Sequence, residues 1–201
     1  MSAIRSICVY CGSSPGHDSI HLEAARSLGR SMAEAGLRLV YGGGTRGVMG
    51  AVADAVQEAG GAVTGIIPRF LIDMEANGEE LKRLDELHVT EDMHQRKHMM
   101  FRHSDAFVAL PGGIGTLEEL VEIMTWSQLG RHAKPIAIAN IGGFWDPLLK
   151  LVDHMRDAGF IHRAQHLRPL VVDQAQDIVP AILAAPTDGP HEEASGFIER
   201  M

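Results

Sequence analysis

Leu110-Pro111-Gly112-Gly113-Ile114-Gly115-Thr116-Leu117-Glu118-Glu119 is the stretch that decides the fold. Before it, Ala106-Phe107-Val108-Ala109-Leu110 is an apolar run of strand length, bounded by a proline. After it, Leu117, Leu120, Val121 and Met124 recur at helical spacing and form one apolar face of a helix entered near Leu117. A strand that runs through glycines into a helix is how an α/β protein turns backbone N–H groups toward an anion. Glycine permits close approach, and the first helical turn brings unpaired donors and the positive end of the helix dipole. The stretch therefore reads as a phosphate cradle built from Gly112, Gly113, Ile114, Gly115 and Thr116. Thr116 and Glu119 stand three apart and read two ways. They are either a capping box, both engaged on backbone N–H groups, or a hydroxyl and a carboxylate held beside a ligand.

Working back toward the N-terminus, Ile4–Tyr10 reads as a strand, Cys11–Gly16 as a polar turn and Ser19–Ala35 as an amphipathic helix closed by Gly36. Leu37–Tyr41 is a second strand, Val48–Ala59 a helix and Ala62–Ile67 a third strand. This alternation predicts a single doubly wound, Rossmann-like α/β domain with a mostly parallel sheet between helices. Between the second strand and its helix lies Gly42-Gly43-Gly44-Thr45-Arg46-Gly47, which has G-x-G-x-x-G spacing. A dinucleotide site also wants an acid near the end of the next strand, and that strand ends Ile66-Ile67-Pro68-Arg69. Gly44 and Thr45 are thus read as a second oxyanion or sugar contact; no NAD site is expected.

Toward the C-terminus, the polar stretch Arg69–Leu84 includes a predicted turn at Asn77-Gly78. Glu86–Thr90 is a strand and Glu91–His103 a helix carrying Arg96 and Lys97. A strand over Lys134–Asn140, a helix with Pro147 in its first turn, a short strand Leu170–Val172 and a helix Ala175–Ala184 complete a domain over 1–185. Residues 186–201, rich in proline, glycine and acid, read as a flexible tail.

Composition bounds the function. A net charge of −8 argues against nucleic acid as partner but not against a small nucleotide. No apolar run reaches the roughly 18 residues of a membrane span, and no signal-like segment opens the chain, so a cytoplasmic location is expected. The two cysteines, Cys8 and Cys11, have C-x-x-C spacing but sit at the end of a buried strand, without a second pair to complete a zinc site. His94 and His98 lie one helical turn apart without a third ligand or a following glutamate, so no metal is expected there.

Several of these stretches together carry a family resemblance. Cys11-Gly12-Ser13-Ser14, Tyr41-Gly42-Gly43-Gly44-Thr45-Arg46-Gly47-Val48-Met49-Gly50, Met93-His94-Gln95-Arg96-Lys97, Pro111–Glu119 and Thr125-Trp126-Ser127-Gln128-Leu129-Gly130 resemble the LONELY GUY (LOG) family. Its members are cytokinin riboside 5′-monophosphate phosphoribohydrolases, although many such sequences carry a "lysine decarboxylase" label. The resemblance implies hydrolysis of the N-glycosidic bond of N6-modified adenosine 5′-monophosphates to free base and ribose 5-phosphate. It implies no cofactor, and a homodimer. Gly113, Gly115 and Thr116 would hold the 5′-phosphate, Glu119 would stabilise an oxocarbenium-like transition state, and Arg96 would assist the departing base. Lys97 would be a second ligand contact, and Glu75 and Thr125 would line the pocket. A broader purine or pyrimidine nucleotide nucleosidase, and a nucleotide-binding regulator without hydrolysis, are the rival readings.

Overall fold

The computed structural model describes residues 4–76, 81–161 and 169–186; the expected Asn77-Gly78 turn and the tail beyond Pro186 lie outside them. Seven strands form one sheet: β1 (Ser6–Tyr10), β2 (Arg38–Tyr41), β3 (Val63–Pro68), β4 (Glu86–Thr90), β5 (Ala106–Ala109), β6 (Ile136–Ala139) and β7 (Leu170–Val172). Their order is β4-β3-β2-β1-β5-β6-β7 and every pairing is parallel. The helices are α1 (Ile20–Glu34), α2 (Gly47–Glu58), α3 (Ile72–Glu75), α4 (Met93–Arg102), α5 (Ile114–Gln128), α6 (Asp146–Asp157) and α7 (Ala175–Ala184). This is the doubly wound architecture that the alternating strand and helix patterns predict. None of the helices is long and apolar enough to cross a membrane.

Strand β1 explains how the core divides. Its residues are buried on both faces, so the strand reads as one apolar run with no alternation. Ile7 and Val9 point into a cluster with Leu28 and Met32 of α1, Val52 and Val56 of α2, and Ile178 of α7. Cys8 and Tyr10 point the other way, toward Met100 and Phe101 of α4, Leu120 and Ile123 of α5, and Trp145. On that second face Tyr10, Phe107 and Phe101 form a continuous stack, with Tyr10–Phe107 centroids 6.0 Å apart and Phe101–Phe107 centroids 5.8 Å apart. Both cysteines are free and buried, and burial pushes their thiols well up, which fits packing and leaves no reactive thiolate.

The chain winds outward from β1 in two directions, through β2 on one side and β5 on the other. The loops leaving the carboxyl ends of these neighbours must diverge, which opens a crevice between them. That is where ligands bind in open parallel sheets. Residues Gly12–Ser14 after β1 and Pro111–Gly113 after β5 line this crevice.

Candidate active site

The crevice is held by glycines whose missing side chains let three turns touch. A Cβ on Gly112 would collide with the Thr116 hydroxyl and lie 2.8 Å from the backbone nitrogen of Gly12. Gly12 donates its N–H to the Pro111 carbonyl at 3.2 Å, and its own carbonyl accepts from Met49 N–H at 3.1 Å. Gly47, at φ +59°, rests against the Ser13 backbone, where a Cβ would come within 2.5 Å. The turns after β1, β2 and β5 are thus one interlocked unit. Gly113 and Gly115 differ from the rest: nothing lies within 4 Å of where their Cβ atoms would stand. The start of α5 therefore faces open space with its first amides unpaired, as an anion cradle requires.

One local expectation needs correction. Helix α5 begins at Ile114, not near Leu117, and its N-cap is Gly113, which has no side-chain cap. The Leu117 N–H already bonds to the Gly113 carbonyl at 3.0 Å. Thr116 is consequently inside the first turn, buried under Gly112, and the Thr116/Glu119 pair forms no capping box. Three glycines and a proline hid three helical residues, Ile114, Gly115 and Thr116, from pattern reading. Glu119 is left free for another role.

That role is set by burial beside Arg96. Glu119 is 8% exposed and Arg96 6% exposed, and Arg96 Nη1 stands 3.9 Å from Glu119 Oε1. The Arg96 side chain is aimed by Asp92, which caps α4 by accepting from Gln95 N–H at 2.8 Å, and by the Gly42 carbonyl, which accepts from Nη2 at 3.4 Å. Burial pushes the Glu119 carboxyl up to about 7; the Arg96 guanidinium offsets part of this, and Glu118 and Glu75 add to it. A carboxyl poised near neutrality can stabilise positive charge and can also take a proton.

Glu75 lies in the same neighbourhood. The Glu75 carbonyl accepts from Thr45 N–H at 2.9 Å and sits 3.6 Å from where a Cβ on Gly44 would be, so Gly44, Thr45 and Glu75 meet at one edge of the crevice. Two buried polar atoms here have no hydrogen-bond partner, Arg96 Nε and Glu75 Oε2. Buried polar groups are nearly always paired, so unpaired ones in a crevice mark the place of a ligand.

Lys97 and Thr125 are placed differently from a ligand contact. Lys97 Nζ donates to Glu118 at 2.7 Å and to Glu122 at 3.0 Å, clipping the first turn of α4 to α5. Burial alone would lower the Lys97 pKa, but these two carboxylates reverse that and hold it raised. Thr125 is exposed and its hydroxyl bonds back to the Val121 carbonyl at 2.8 Å, with no described contact to Arg96 or Glu119. Trp126 packs edge-on against Phe101 at 5.1 Å and belongs to the core. Gly12, which meets Gly112, and Gly42, whose carbonyl holds Arg96, also border the candidate site; the sequence reading gave Gly12 no role and Gly42 only a share in the glycine turn. A cleft of about 380 Å³ on the α1/α2 face, lined by Leu22, Arg26, Asp54 and Glu58, adjoins the crevice at Thr45 and Gly47, and neither Arg96 nor Glu119 lines it.

Known proteins resemble this chain in sequence and in fold. The family model described as "Possible lysine decarboxylase" matches residues 49–182. A cytokinin riboside 5′-monophosphate phosphoribohydrolase of Arabidopsis thaliana is 45% identical over 91% of this chain and 79% of its own. A second from that plant is 49% identical over 80% of this chain and 73% of its own, and one from Oryza sativa subsp. japonica is 45% identical over 92% and 70%. Among solved structures, the molybdenum cofactor binding protein of Rippkaea orientalis superposes with a TM-score of 0.66 at 21% identity, covering 90% of this chain and 97% of that one. DNA processing protein A of Streptococcus pneumoniae superposes at 0.59 with 13% identity, covering 88% and 61%. These two likenesses concern the fold alone. With the family model covering most of its length and plant relatives near half identity, this chain belongs to the LONELY GUY (LOG) family.

Proposed function

We propose that this chain hydrolyses the N-glycosidic bond of N6-modified adenosine 5′-monophosphates, releasing free base and ribose 5-phosphate. The observation that carries the reading is the buried Arg96–Glu119 pair, with unpaired Arg96 Nε and Glu75 Oε2 beside it, at the open mouth of the α5 N-terminus. The names of the plant relatives support the same reaction.

In this reading the 5′-phosphate sits on the amides of Gly113, Ile114, Gly115 and Thr116. Charge and dipole favour it there, and Gly113 and Gly115 leave it room. The ribose then lies toward Glu119, one helical turn further along. As the bond between ribose C1′ and the base nitrogen breaks, positive charge grows on the sugar and the electron pair leaves with the base. Ionised Glu119 stabilises the first, and the Arg96 guanidinium, permanently charged, donates to the second. Water adds its oxygen to C1′ and its proton passes to Glu119; that proton is then handed on, through solvent, to the departed base, which restores the carboxylate.

Lys97 acts by clamping α4 to α5 so that the pair keeps its spacing. The broader nucleosidase reading shares all of these residues and differs only in base preference. The non-hydrolytic reading made Glu119 the partner of a Thr116 N-cap, but the N-cap is Gly113 and carries no side-chain cap. A homodimer belongs to the proposal, supported by exposed Val121 on α5, Leu129 at its C-cap, and Leu151 and Met155 on α6. So does a cytoplasmic location, which the two unpaired thiols fit.

The test is an assay of purified protein against isopentenyladenosine 5′-monophosphate, AMP and isopentenyladenosine. Release of base from the monophosphates alone is expected, with the isopentenyl nucleotide faster. Faster turnover of AMP would favour the broader nucleosidase, and no release from any substrate would overturn the proposal.

A further inference from the structure

The far end of α4 carries a second group of side chains, remote from the crevice. Glu86 and His88 are two residues apart on the edge strand β4, so both project from one face. Helix α4 ends over that face, and His103 is its C-cap. The rings of His88 and His103 are 5.0 Å apart, and Glu86 Oε2 lies 3.7 Å from His88 Nε2. One ligating atom from each of the three residues lies within 4.8 Å of the other two. At 3.7 Å the carboxylate is too far to hydrogen-bond the imidazole. His88 Nε2 is nonetheless buried and has no partner. An unpaired ring nitrogen aimed at a carboxylate and a second imidazole is a donor set in need of a cation.

Three neighbouring residues bear on that cation. Arg38 Nη1 is 3.9 Å from Glu86 Oε2 and donates to the Thr64 hydroxyl at 3.0 Å; Thr64 in turn donates to Glu86 Oε2 at 3.2 Å. Arg102 precedes His103 and adds positive charge. Arg38 and Thr64 hold the carboxylate toward His88, in the manner of outer groups that orient a ligand. Against the repulsion of Arg38 and Arg102 stands the negative end of α4, which favours a cation at its C-terminus.

We propose that Glu86, His88 and His103 bind a divalent transition ion, zinc by preference, with solvent in the fourth position. Two imidazoles and one carboxylate suit Zn²⁺, Co²⁺ or Ni²⁺ and not the oxygen-seeking Mg²⁺ or Ca²⁺. Ligand atoms in a tetrahedral zinc site are about 3.3 Å apart, given bonds of about 2.0–2.1 Å. Closing from 4.8 Å takes side-chain rotation, chiefly of the exposed His103, since Thr64 and Arg38 hold the Glu86 carboxylate. The ion would pin the end of α4 to the edge strand, fastening the helix whose first turn carries Arg96. The i, i+4 pair His94/His98, which the sequence brings to notice first, is no part of the group.

The experiment uses the full, untagged chain after EDTA treatment and desalting. Titration with Co²⁺ is expected to give the visible absorption of a four-coordinate ion, saturating at one per chain. Zn²⁺ at about a hundredfold excess over its Kd is expected to raise Tm by about 5–10 °C. His103→Asn, conservative at an exposed helix end, and His88→Gln should each weaken cobalt binding at least about tenfold. The double variant His94→Ala/His98→Ala should bind as wild type. Absence of cobalt absorption, or unchanged binding by both His103→Asn and His88→Gln, would overturn the assignment.

Discussion

Replacing Glu119 by glutamine should stabilise the protein, relative to wild type, more in alkaline buffer than in acid, by an amount the structure sets. Burial raises this carboxyl from an ordinary 4.5 to about 7 in the folded chain. Keeping it ionised when folded therefore costs about 3 kcal/mol. The sign follows from proton counts. Between those two values the unfolded chain has released the proton and the folded chain still holds it. The stability associated with the held proton is fully present below about pH 4.5 and is lost as pH rises through about 7. Glutamine never ionises, so the variant escapes the loss. At about pH 5 the variant gains under about 1 kcal/mol from this source, and at about pH 8.5 about 3 kcal/mol. Glutamine also leaves Arg96 without its carboxylate partner, but the attraction of Arg96 is already contained in the value of about 7 and is not counted again. For a chain of this length each kcal/mol moves Tm by about 2–4 °C. The Tm difference between Glu119→Gln and wild type should widen by roughly 5–10 °C from about pH 5 to about pH 8.5, read by calorimetry or circular dichroism. A difference that stays constant with pH, or narrows, would refute the claim that Glu119 is strained by burial.

Gly115→Ala tests the cradle separately. The added methyl meets no protein atom and improves helix propensity by about 0.5–1 kcal/mol, so Tm should hold or rise. Yet KM for the monophosphate should rise about tenfold or more, because the methyl occupies the proposed phosphate space; an unchanged KM would move the phosphate elsewhere. Gly42→Ala places a methyl on Arg96 Nη2, and displacing the guanidinium by about 1 Å should lower kcat about a hundredfold with a smaller effect on KM. Lys97→Met removes the clip to Glu118 and Glu122; stability should fall by about 1 kcal/mol and kcat should drop while nucleotide affinity, by calorimetry, stays within a few fold.

How far these features were legible depends on how local their causes are. The doubly wound sheet was readable because β1 and β5 are buried on both faces and appear as apolar runs, and β2 is apolar after Arg38. The glycine turns were readable because only glycine tolerates the contacts made at Gly47 and Gly112. The start of α5 was misjudged by three residues, since Ile114 and Gly115 are poor helix signals and the cap at Gly113 has no side chain. The difference changed the meaning of Glu119. Lys97 looked like Arg96's companion at the ligand, but consecutive residues on a helix diverge by about 100°, and Lys97 turns to α5 while Arg96 turns inward. The joining of Glu86, His88 and His103 depends on where α4 ends over an edge strand, a long-range fact with no local signature.

The central claim is that the Glu119 carboxylate stabilises the positive charge growing on the sugar and does not serve to bind the nucleotide. Measuring turnover and equilibrium binding of isopentenyladenosine 5′-monophosphate by Glu119→Gln tests it most directly. The account predicts turnover lower by about a thousandfold or more, with Kd within a few fold of wild type. Full-rate base release by that variant, or a loss explained entirely by weaker binding, would contradict it.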